Sequence, residues 1–417
     1  MDRKYLVIDL KSFYASVECI KRGLDSMTTK LVVADKTRKG GICLAVSPAL
    51  KALGVKNRCR LYEIPTDIDF IIAKPMMKDY ITMSAKIYSI YLRFIAKEDI
   101  YVYSIDECFL DVTDYLLLYK TDEISLAKRI VDEVYKDTGI CATCGIGTNM
   151  FLAKVALDIT AKHEESHLGY LDIKKFKETI WFHKPITDIW NIGPNIARRL
   201  ANYGITNLYE VSQCDQEILL KEFGVNAYNL INHANGIEET TIKACNSYKP
   251  QSKSISHSQI LFSDYSFEEG LLVLKEMVDL SVLDLIRHDY ATGHISLFIG
   301  YSKEFTGGVN KSMKLCEYTY SYNDIMNYFI KLYKDSVDRF KPIRKIGLAF
   351  SDLVKANMVT VNLFTDKVKL QKDYILGNTI NDLKDRFGKN AILKGMNLEE
   401  KATTVTRNKL IGGHNAE

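Results

Sequence analysis

An adjacent pair of acidic residues, Asp106 and Glu107, interrupts a stretch from Tyr101 to Val112 that is rich in apolar and aromatic residues. This pattern is typical of two strands joined by a tight turn. Two neighbouring carboxylates repel one another, and the repulsion is costly unless a cation neutralises it. A hard cation such as Mg²⁺ prefers oxygen ligands and often takes only one or two carboxylates plus substrate phosphates. The pair is therefore a candidate metal site, and Asp9, at the end of an apolar run, is a candidate third acid.

The elements around this pair follow the order strand, helix, strand, strand, helix, strand once a basic insertion is set aside. The patterns predict a strand over 5–9, a helix from 13, a helix over 76–95, the two hairpin strands, a helix over 126–134 and a strand over 141–146. This is the split βαβ arrangement, with the third strand between the first and second and antiparallel to both. It places Asp9 beside Asp106 and Glu107 at one edge of the sheet.

Length and composition narrow the class of protein. A chain of 417 residues is too long for one hydrophobic core, so we expect several domains. A hydrophobic content of 47% and a charged content of 26% are typical of a globular protein, and no apolar run approaches the roughly 18 residues of a membrane span. Because the N-terminus leads directly into a strand and the nine cysteines are scattered, we expect a cytoplasmic protein without a signal peptide.

The rest of the chain divides into further segments that differ in composition and sequence pattern. Residues 23–65 form a small basic insertion with several glycines and two prolines. Around Gly193 the sequence predicts helix, glycine-bearing hairpin and helix, in which backbone N–H groups can approach a phosphate. A basic, serine-rich linker then leads into a second strand–helix–strand–strand–helix–strand run that ends near Phe350. From about Asp352 the composition is polar, and we expect an irregular C-terminal segment.

The ordered set of motifs closely resembles the Y-family DNA polymerases, and within them the UmuC-like branch. The motifs are residues 7–18, Ser104-Ile-Asp106-Glu107, residues 145–158 and the hairpin at 192–200, and a run at 49–56 is similar to UmuC-type fingers. The resemblance implies a multidomain α+β right-hand polymerase. Its palm would have the βαββαβ order over 1–20 and 74–170, with small fingers over 21–73. A helical thumb with a helix-hairpin-helix would span 171–240, and a second βαββαβ unit, the little finger, would span 248–352 before a tail over 353–417.

The same resemblance implies a DNA polymerase of low fidelity that performs translesion synthesis. Its substrates would be primer-template DNA and dNTPs, and two Mg²⁺ ions would serve in one active site. By resemblance Asp9, Asp106 and Glu107 are the catalytic acids and metal ligands. The Leu10 carbonyl would complete the site on the nucleotide side.

The resemblance also identifies residues that bind the incoming nucleotide. Tyr14 matches the aromatic steric gate that a ribonucleotide 2′-hydroxyl would strike, and Phe13 lies beside it. Lys51 fits a triphosphate-binding position in the fingers at which many relatives carry arginine. Lys162 fits a second such position, but one extra residue follows Asp158 relative to the common spacing, so Lys154 is an alternative to it.

Two segments are candidate contacts for DNA phosphates. In the helix-hairpin-helix these are Gly193, Arg198 and Arg199, which would bind without reading the base sequence. In the first strand of the second βαββαβ unit the candidates are Lys253, Ser254 and Ser256, although this stretch also fits an ordinary strand.

A final segment, Thr360–Phe364, is similar to the sliding-clamp-binding peptide of bacterial polymerases. Leu363 and Phe364 would fill a hydrophobic pocket on the clamp, whereas Thr360 stands where the usual motif has a glutamine. An additional strand is the alternative. The sequence does not show whether a UmuD-like subunit is required.

Two other functions remain open from the sequence. Another palm-fold nucleotidyl transferase, such as a nucleotidyl cyclase, also uses metal-bound carboxylates on a βαββαβ sheet, but the hairpin and the second βαββαβ unit argue against it. A non-enzymatic DNA-binding repair accessory would keep the hairpin without needing the three acids.

Overall fold

The computed structural model describes residues 3–37, 41–250, 253–359 and 367–416. The chain forms two compact units, Met1–Tyr248 and Lys249–Ala416. Among the helices in the described ranges, none combines the length and apolar composition that crossing a membrane requires. The segment that contains Leu363 and Phe364 lies outside the described residues.

The first unit begins with a strand and a helix, passes through an insertion and returns to a mixed sheet. Its strands and helices are, in order, β1 (Tyr5–Leu10), α1 (Phe13–Lys21), β2 (Leu31–Val33), β3 (Ala45–Val46), α2 (Pro48–Ala52), β4 (Ile71–Ala73), α3 (Met77–Tyr91), β5 (Ile100–Val102), β6 (Glu107–Asp111), α4 (Thr113–Tyr119), α5 (Glu123–Thr138), β7 (Ala142–Gly147), α6 (Met150–Val155), β8 (Leu168–Leu171), α7 (Ile173–Thr179), α8 (Pro194–Ala201), α9 (Leu208–Gln213), α10 (Gln216–Phe223), α11 (Asn226–Ala234) and α12 (Ile242–Ser247).

The main sheet of this unit has the strand order β5-β6-β1-β7-β8. Strand β6 lies between β5 and β1 and is antiparallel to both, and β1 is also antiparallel to β7. The split βαβ order predicted from the sequence is therefore confirmed. Strand β8, which pairs in parallel with β7, is an additional strand that the sequence analysis did not include.

The insertion forms a separate three-stranded sheet of order β3-β2-β4, with α2 beside it. Val32, Cys43, Val46 and Leu50 are buried in its small core. A core of this size holds a short helix in place, and α2 carries Lys51, one of the predicted substrate contacts.

The predicted helix-hairpin-helix is only partly correct. Its second helix is present as α8, which Gly193 precedes as the N-cap residue. Residues 189–192, just before the hairpin glycine, form no helix, and a single 3₁₀ turn over Ile186–Asp188 precedes them. The Ile192 N–H donates to the Ile189 carbonyl at 3.0 Å, but Asn191 adopts a positive φ of 69°, so this turn does not continue as a helix.

The second unit repeats the element order but not the sheet order. Its first part comprises β9 (Ile255–Tyr265), α13 (Phe267–Arg287), β10 (Tyr290–Tyr301), β11 (Gly308–Thr319), α14 (Tyr322–Ser336) and β12 (Ile343–Lys355). This confirms the predicted second βαββαβ succession. The strands are ordered β11-β10-β12-β9, so the last strand, not the third, lies next to the first.

The prediction of an irregular C-terminal segment is wrong for the described residues 367–416. They form α15 (Lys367–Phe387), α16 (Thr404–Arg407) and a hairpin of β13 (Leu410–Ile411) and β14 (His414–Asn415). A buried carboxylate on α13, Glu276, accepts hydrogen bonds from the Asn397 side-chain amide (2.9 Å) and from the Thr403 and Thr404 backbone N–H groups (2.6 and 3.2 Å). Polar composition misled the prediction because these polar groups are satisfied inside the unit.

Candidate active site

Antiparallel pairing places the predicted acids at one edge of the main sheet. Asp9 lies directly opposite Glu107 in the register of β1 and β6, and the Leu10 N–H donates to the Asp106 carbonyl at 3.0 Å. Burial raises the pKa of both Asp9 and Glu107, since each carboxylate is largely removed from water. The Asp106 carboxylate accepts a hydrogen bond from the Ser104 hydroxyl at 2.6 Å. The backbone thus brings the three acids together, as the sequence order predicted.

Two lysines lie against these acids. Lys154 Nζ is 2.8 Å from Glu107 Oε1, and Lys162 Nζ is 3.6 Å from Asp9 Oδ2. Burial opposes the charge of Lys162, but Asp9 and Asp158 outweigh it and raise the pKa of that lysine. The sequence analysis treated the two lysines as alternatives, and in the structure both occupy the site.

The extra residue after Asp158 has a structural explanation. Residues Ala156–Ala161 form a π-helical turn, whose i→i+5 hydrogen bonds accommodate one residue more than an α-helical turn. The wider turn ends at Ala161, and Lys162 follows it directly within reach of Asp9. The irregular spacing therefore does not remove Lys162 from the site.

The oxygen atoms at this edge fit a hard divalent cation that has few protein ligands. Glu107 Oε1 is a buried oxygen without an aligned hydrogen bond, although the Lys154 ammonium lies within ion-pair distance of it. Further oxygen donors at the same edge are the carboxylates of Asp9 and Asp106 and the backbone carbonyl of Leu10, the last residue of β1. Among the residues that the structure describes, no group of three or more acidic, histidine or cysteine side chains is arranged to hold a metal ion. A cation at this edge would therefore need substrate oxygens as additional ligands, as Mg²⁺ commonly takes from phosphates.

An aromatic stack borders the acids. The Tyr14 ring stacks on the Tyr80 ring with centroids 4.5 Å apart, and the Tyr80 hydroxyl donates to the buried Glu18 carboxylate at 2.8 Å. Burial raises the pKa of Tyr14, and the Asp106 carboxylate adds to this shift. Phe13 is buried in the core. Sequence analysis missed Tyr80, because only the fold brings α3 beside α1.

The third lysine reaches the loop that follows β1. Lys51 Nζ donates to the Ser12 hydroxyl at 2.9 Å, and burial lowers the pKa of Lys51. Ser12 has a left-handed backbone, with φ of 46°, at the N-cap position of α1. A strained non-glycine residue at such a place is typical of functional loops.

The candidate DNA contacts differ in how exposed they are and in whether they already make hydrogen bonds within the protein. Arg199 donates to Glu222 Oε1 at 2.6 Å and lies over the Phe223 ring, so its guanidinium is engaged within the first unit. Arg198 is exposed, as is Gly193. In the second unit, Lys253 Nζ donates to the Tyr290 hydroxyl at 2.5 Å. Ser254 and Ser256 are exposed, Ser256 on the outward face of β9.

The impB/mucB/samB family matches residues 8–158, and the impB/mucB/samB family C-terminal domain matches residues 252–363. UvrX of Bacillus subtilis (strain 168) is 33% identical over 416 residues, which cover 99% of this chain and 97% of that protein. DNA polymerase IV 2 of the same organism is 29% identical, with 99% of each chain covered. A solved Y-family DNA polymerase chimera, Dbh-Dpo4(243-245)-Dbh, has the same fold with a TM-score of 0.65 at 20% identity, covering 84% of this chain and 99% of that chain.

The raised pKa of Glu107 gives a prediction for stability. Burial makes the folded protein hold the Glu107 proton more tightly than the unfolded chain does, so stability falls as the pH rises from the ordinary value of 4.5 through the folded-state pKa. Glu107→Gln removes the ionisable group, and with it this loss of stability, and leaves Lys154 paired with Asp158. We expect the variant to have a higher free energy of unfolding than the wild type at pH 7, and an equal one below pH 4.5.

The two tryptophans, Trp181 and Trp190, both lie in the first unit, so denaturant unfolding followed by their fluorescence measures this difference. The exposed Glu178→Gln variant is the control and should match the wild type at both pH values. A Glu107→Gln variant that is less stable than the wild type at pH 7 would show that the ion pair with Lys154 outweighs burial.

Proposed function

The chain belongs to the impB/mucB/samB family, and from that membership we propose how its residues carry out DNA synthesis. It is a DNA-directed DNA polymerase of the Y family that performs translesion synthesis and depends on a divalent metal ion. Its substrates are template DNA and deoxynucleoside triphosphates. The residue assignment rests on the strand register that sets Asp9 opposite Glu107, with a lysine beside each of these acids.

We assign the metal-holding role to the carboxylates of Asp9, Asp106 and Glu107 and to the Leu10 carbonyl, and we identify the metal as Mg²⁺. Two such ions, when bound, supply the positive charge that activates the primer 3′-hydroxyl and stabilises the departing pyrophosphate. The protein's own part is to position the reactants, because phosphoryl transfer asks for little covalent chemistry from side chains. Lys51, Lys154 and Lys162 bind the triphosphate and orient it for attack by the primer.

Other residues have proposed roles in contacting the nucleotide sugar and DNA. Tyr14, held by its stack on Tyr80, is the wall beneath the sugar of the incoming nucleotide. Gly193, Arg198, Lys253, Ser254 and Ser256 contact DNA phosphates, and their exposure supports this role. Arg199 is the weaker of the two hairpin arginines because Glu222 already accepts from it. No observation favours a nucleotidyl cyclase or a non-enzymatic repair accessory.

Asp106→Asn tests the catalytic assignment. The substitution keeps the shape of the side chain and its acceptor for the Ser104 hydroxyl but removes the charge, so we expect nucleotide addition to fall by orders of magnitude in a primer-extension assay. Primer-template binding, measured by fluorescence anisotropy, should stay near the wild-type value. The exposed Asp114→Asn variant is the control. Near-normal extension by Asp106→Asn would contradict the assignment of Asp106 as a metal-holding carboxylate.

Tyr14→Ala tests the sugar wall. Removing the ring opens space beneath the sugar, and we expect the ratio of ribonucleotide to deoxynucleotide incorporation efficiency to rise by orders of magnitude. Tyr14→Phe keeps the ring and should keep the wild-type ratio. If Tyr14→Ala discriminates as the wild type does, Tyr14 serves only to pack against Tyr80.

We also propose that Leu363 and Phe364 anchor the chain to a sliding clamp, on the ground of the sequence similarity at Thr360–Phe364. A Leu363→Ala, Phe364→Ala double variant should lose the stimulation that a loaded clamp gives to synthesis and keep its clamp-independent activity. Equal stimulation of variant and wild type would assign these residues a structural role. Extension by the purified chain alone decides whether a UmuD-like subunit is needed.

A further inference from the structure

Asp158 links the two lysines that face the acids. Its carboxylate accepts from Lys162 Nζ at 2.8 Å and lies 3.1 Å from Lys154 Nζ. With Lys154 against Glu107 and Lys162 near Asp9, five side chains form a row of alternating charge across the site: Glu107, Lys154, Asp158, Lys162 and Asp9. Asp158 is the central member, and it lies on neither β1 nor β6.

The π-helical turn keeps the three central members of this row on one face. Lys154, Asp158 and Lys162 are spaced four residues apart. In a continuous α-helix each step of four residues overshoots one turn by about 40°, so two steps carry the third side chain well away from the first. The π-helical turn over Ala156–Ala161 winds more slowly and offsets this drift between Asp158 and Lys162.

The sheet fixes the backbone of the same segment. A Cβ atom at Gly145 would lie 2.1 Å from the Ala153 carbonyl oxygen and 2.3 Å from the Leu157 nitrogen, and one at Gly169 would lie 2.6 Å from the Ala156 carbonyl oxygen. These glycines of β7 and β8 let α6 and the π-helical turn press directly on the sheet. The positions of Lys154 and Asp158 are therefore set by backbone packing, not by flexible side chains alone.

The two lysines differ in how deeply their side chains are buried. The Lys154 side chain is 8% exposed, whereas the Lys162 side chain is 39% exposed and makes only a long contact of 3.6 Å with Asp9. Without Asp158, the two ammonium groups would repel one another, and Asp9 and Glu107 would be their nearest anionic partners. The lysines already contact Glu107 and Asp9, and without Asp158 their counter-charge would come entirely from the carboxylates that the polymerase assignment gives to the metal ions.

We propose that Asp158 is a positioning residue that holds Lys154 and Lys162 side by side, ready to receive the triphosphate of the incoming nucleotide. Asp158 itself contacts neither the nucleotide nor the primer. The proposal rests on the polymerase function, and it adds a residue that acts through the two lysines. Its consequence is specific to the nucleotide: losing Asp158 weakens triphosphate binding more than it slows the chemical step.

Asp158→Ala and Asp158→Asn test this proposal. In a complex with a dideoxy-terminated primer, which binds a nucleotide but cannot extend, we expect the dNTP dissociation constant of Asp158→Ala to rise about tenfold, the effect of losing one hydrogen bond to a charged group. Asp158→Asn keeps an acceptor without the charge and should give a smaller rise. With an extendable primer, KM for dNTP should rise in parallel and kcat should change much less.

Glu133→Ala is the matched control, because Glu133 is also a helical carboxylate held by two cations, Arg93 at 3.0 Å and Lys136 at 3.8 Å, on the separate helix α5. It should bind dNTP as the wild type does, and tryptophan fluorescence should show all variants folded. Dissociation constants within twofold of wild type for both Asp158 variants, or a loss confined to kcat, would overturn the proposal. Failure of the wild type to extend any primer would instead contradict the polymerase function. The two outcomes can be told apart because dNTP binding is measured on a primer that cannot be extended.

Discussion

Antiparallel pairing of β1 with β6 sets Asp9 opposite Glu107, so the backbones of two acidic residues lie about one strand spacing apart. Burial raises the pKa of both carboxylates, because it disfavours the charge that each needs in order to hold a cation. The ammonium groups of Lys154 and Lys162 offset part of this disfavour. The free protein thus carries its own counter-charges, and these same groups are suited to bind the phosphates of a nucleotide.

The segment behind the acids supplies the two lysines with a further carboxylate. Without Asp158, Glu107 and Asp9 would be the anionic partners left to Lys154 and Lys162. Asp158 gives both of them another anionic partner, and the glycines of β7 and β8 keep its helix against the sheet. Tyr14 is supported in a similar way, because Tyr80 stacks against it and is itself anchored to the buried Glu18 carboxylate. In each case a residue that would contact the substrate is held by one that would not.

The sequence predicted those features that depend on local pattern or on motif order. Alternating apolar residues gave the strands of both units, and the split βαβ order was enough to bring Asp9 beside Glu107. The contacts that support the site were harder to predict where they join residues distant in sequence, as the stack of Tyr80 on Tyr14 does. The extra residue after Asp158 was a local sign of the π-helical turn, but not of its packing against Gly169, and nothing near Glu276 reveals that it binds the Thr403 region. The i,i+4 spacing of Lys154, Asp158 and Lys162 was a second local sign.

The central claim is that Asp158 keeps Lys154 and Lys162 in place to bind the triphosphate, so that Lys162 turns from Asp9 to a phosphate when the nucleotide binds. A crystal structure of the ternary complex, with primer-template DNA, a dNTP and Mg²⁺, tests it most directly. The account predicts that Lys162 Nζ contacts a phosphate oxygen and no longer lies near Asp9, while Asp158 still accepts from Lys154. A bound triphosphate with Lys162 still paired to Asp9 would contradict it.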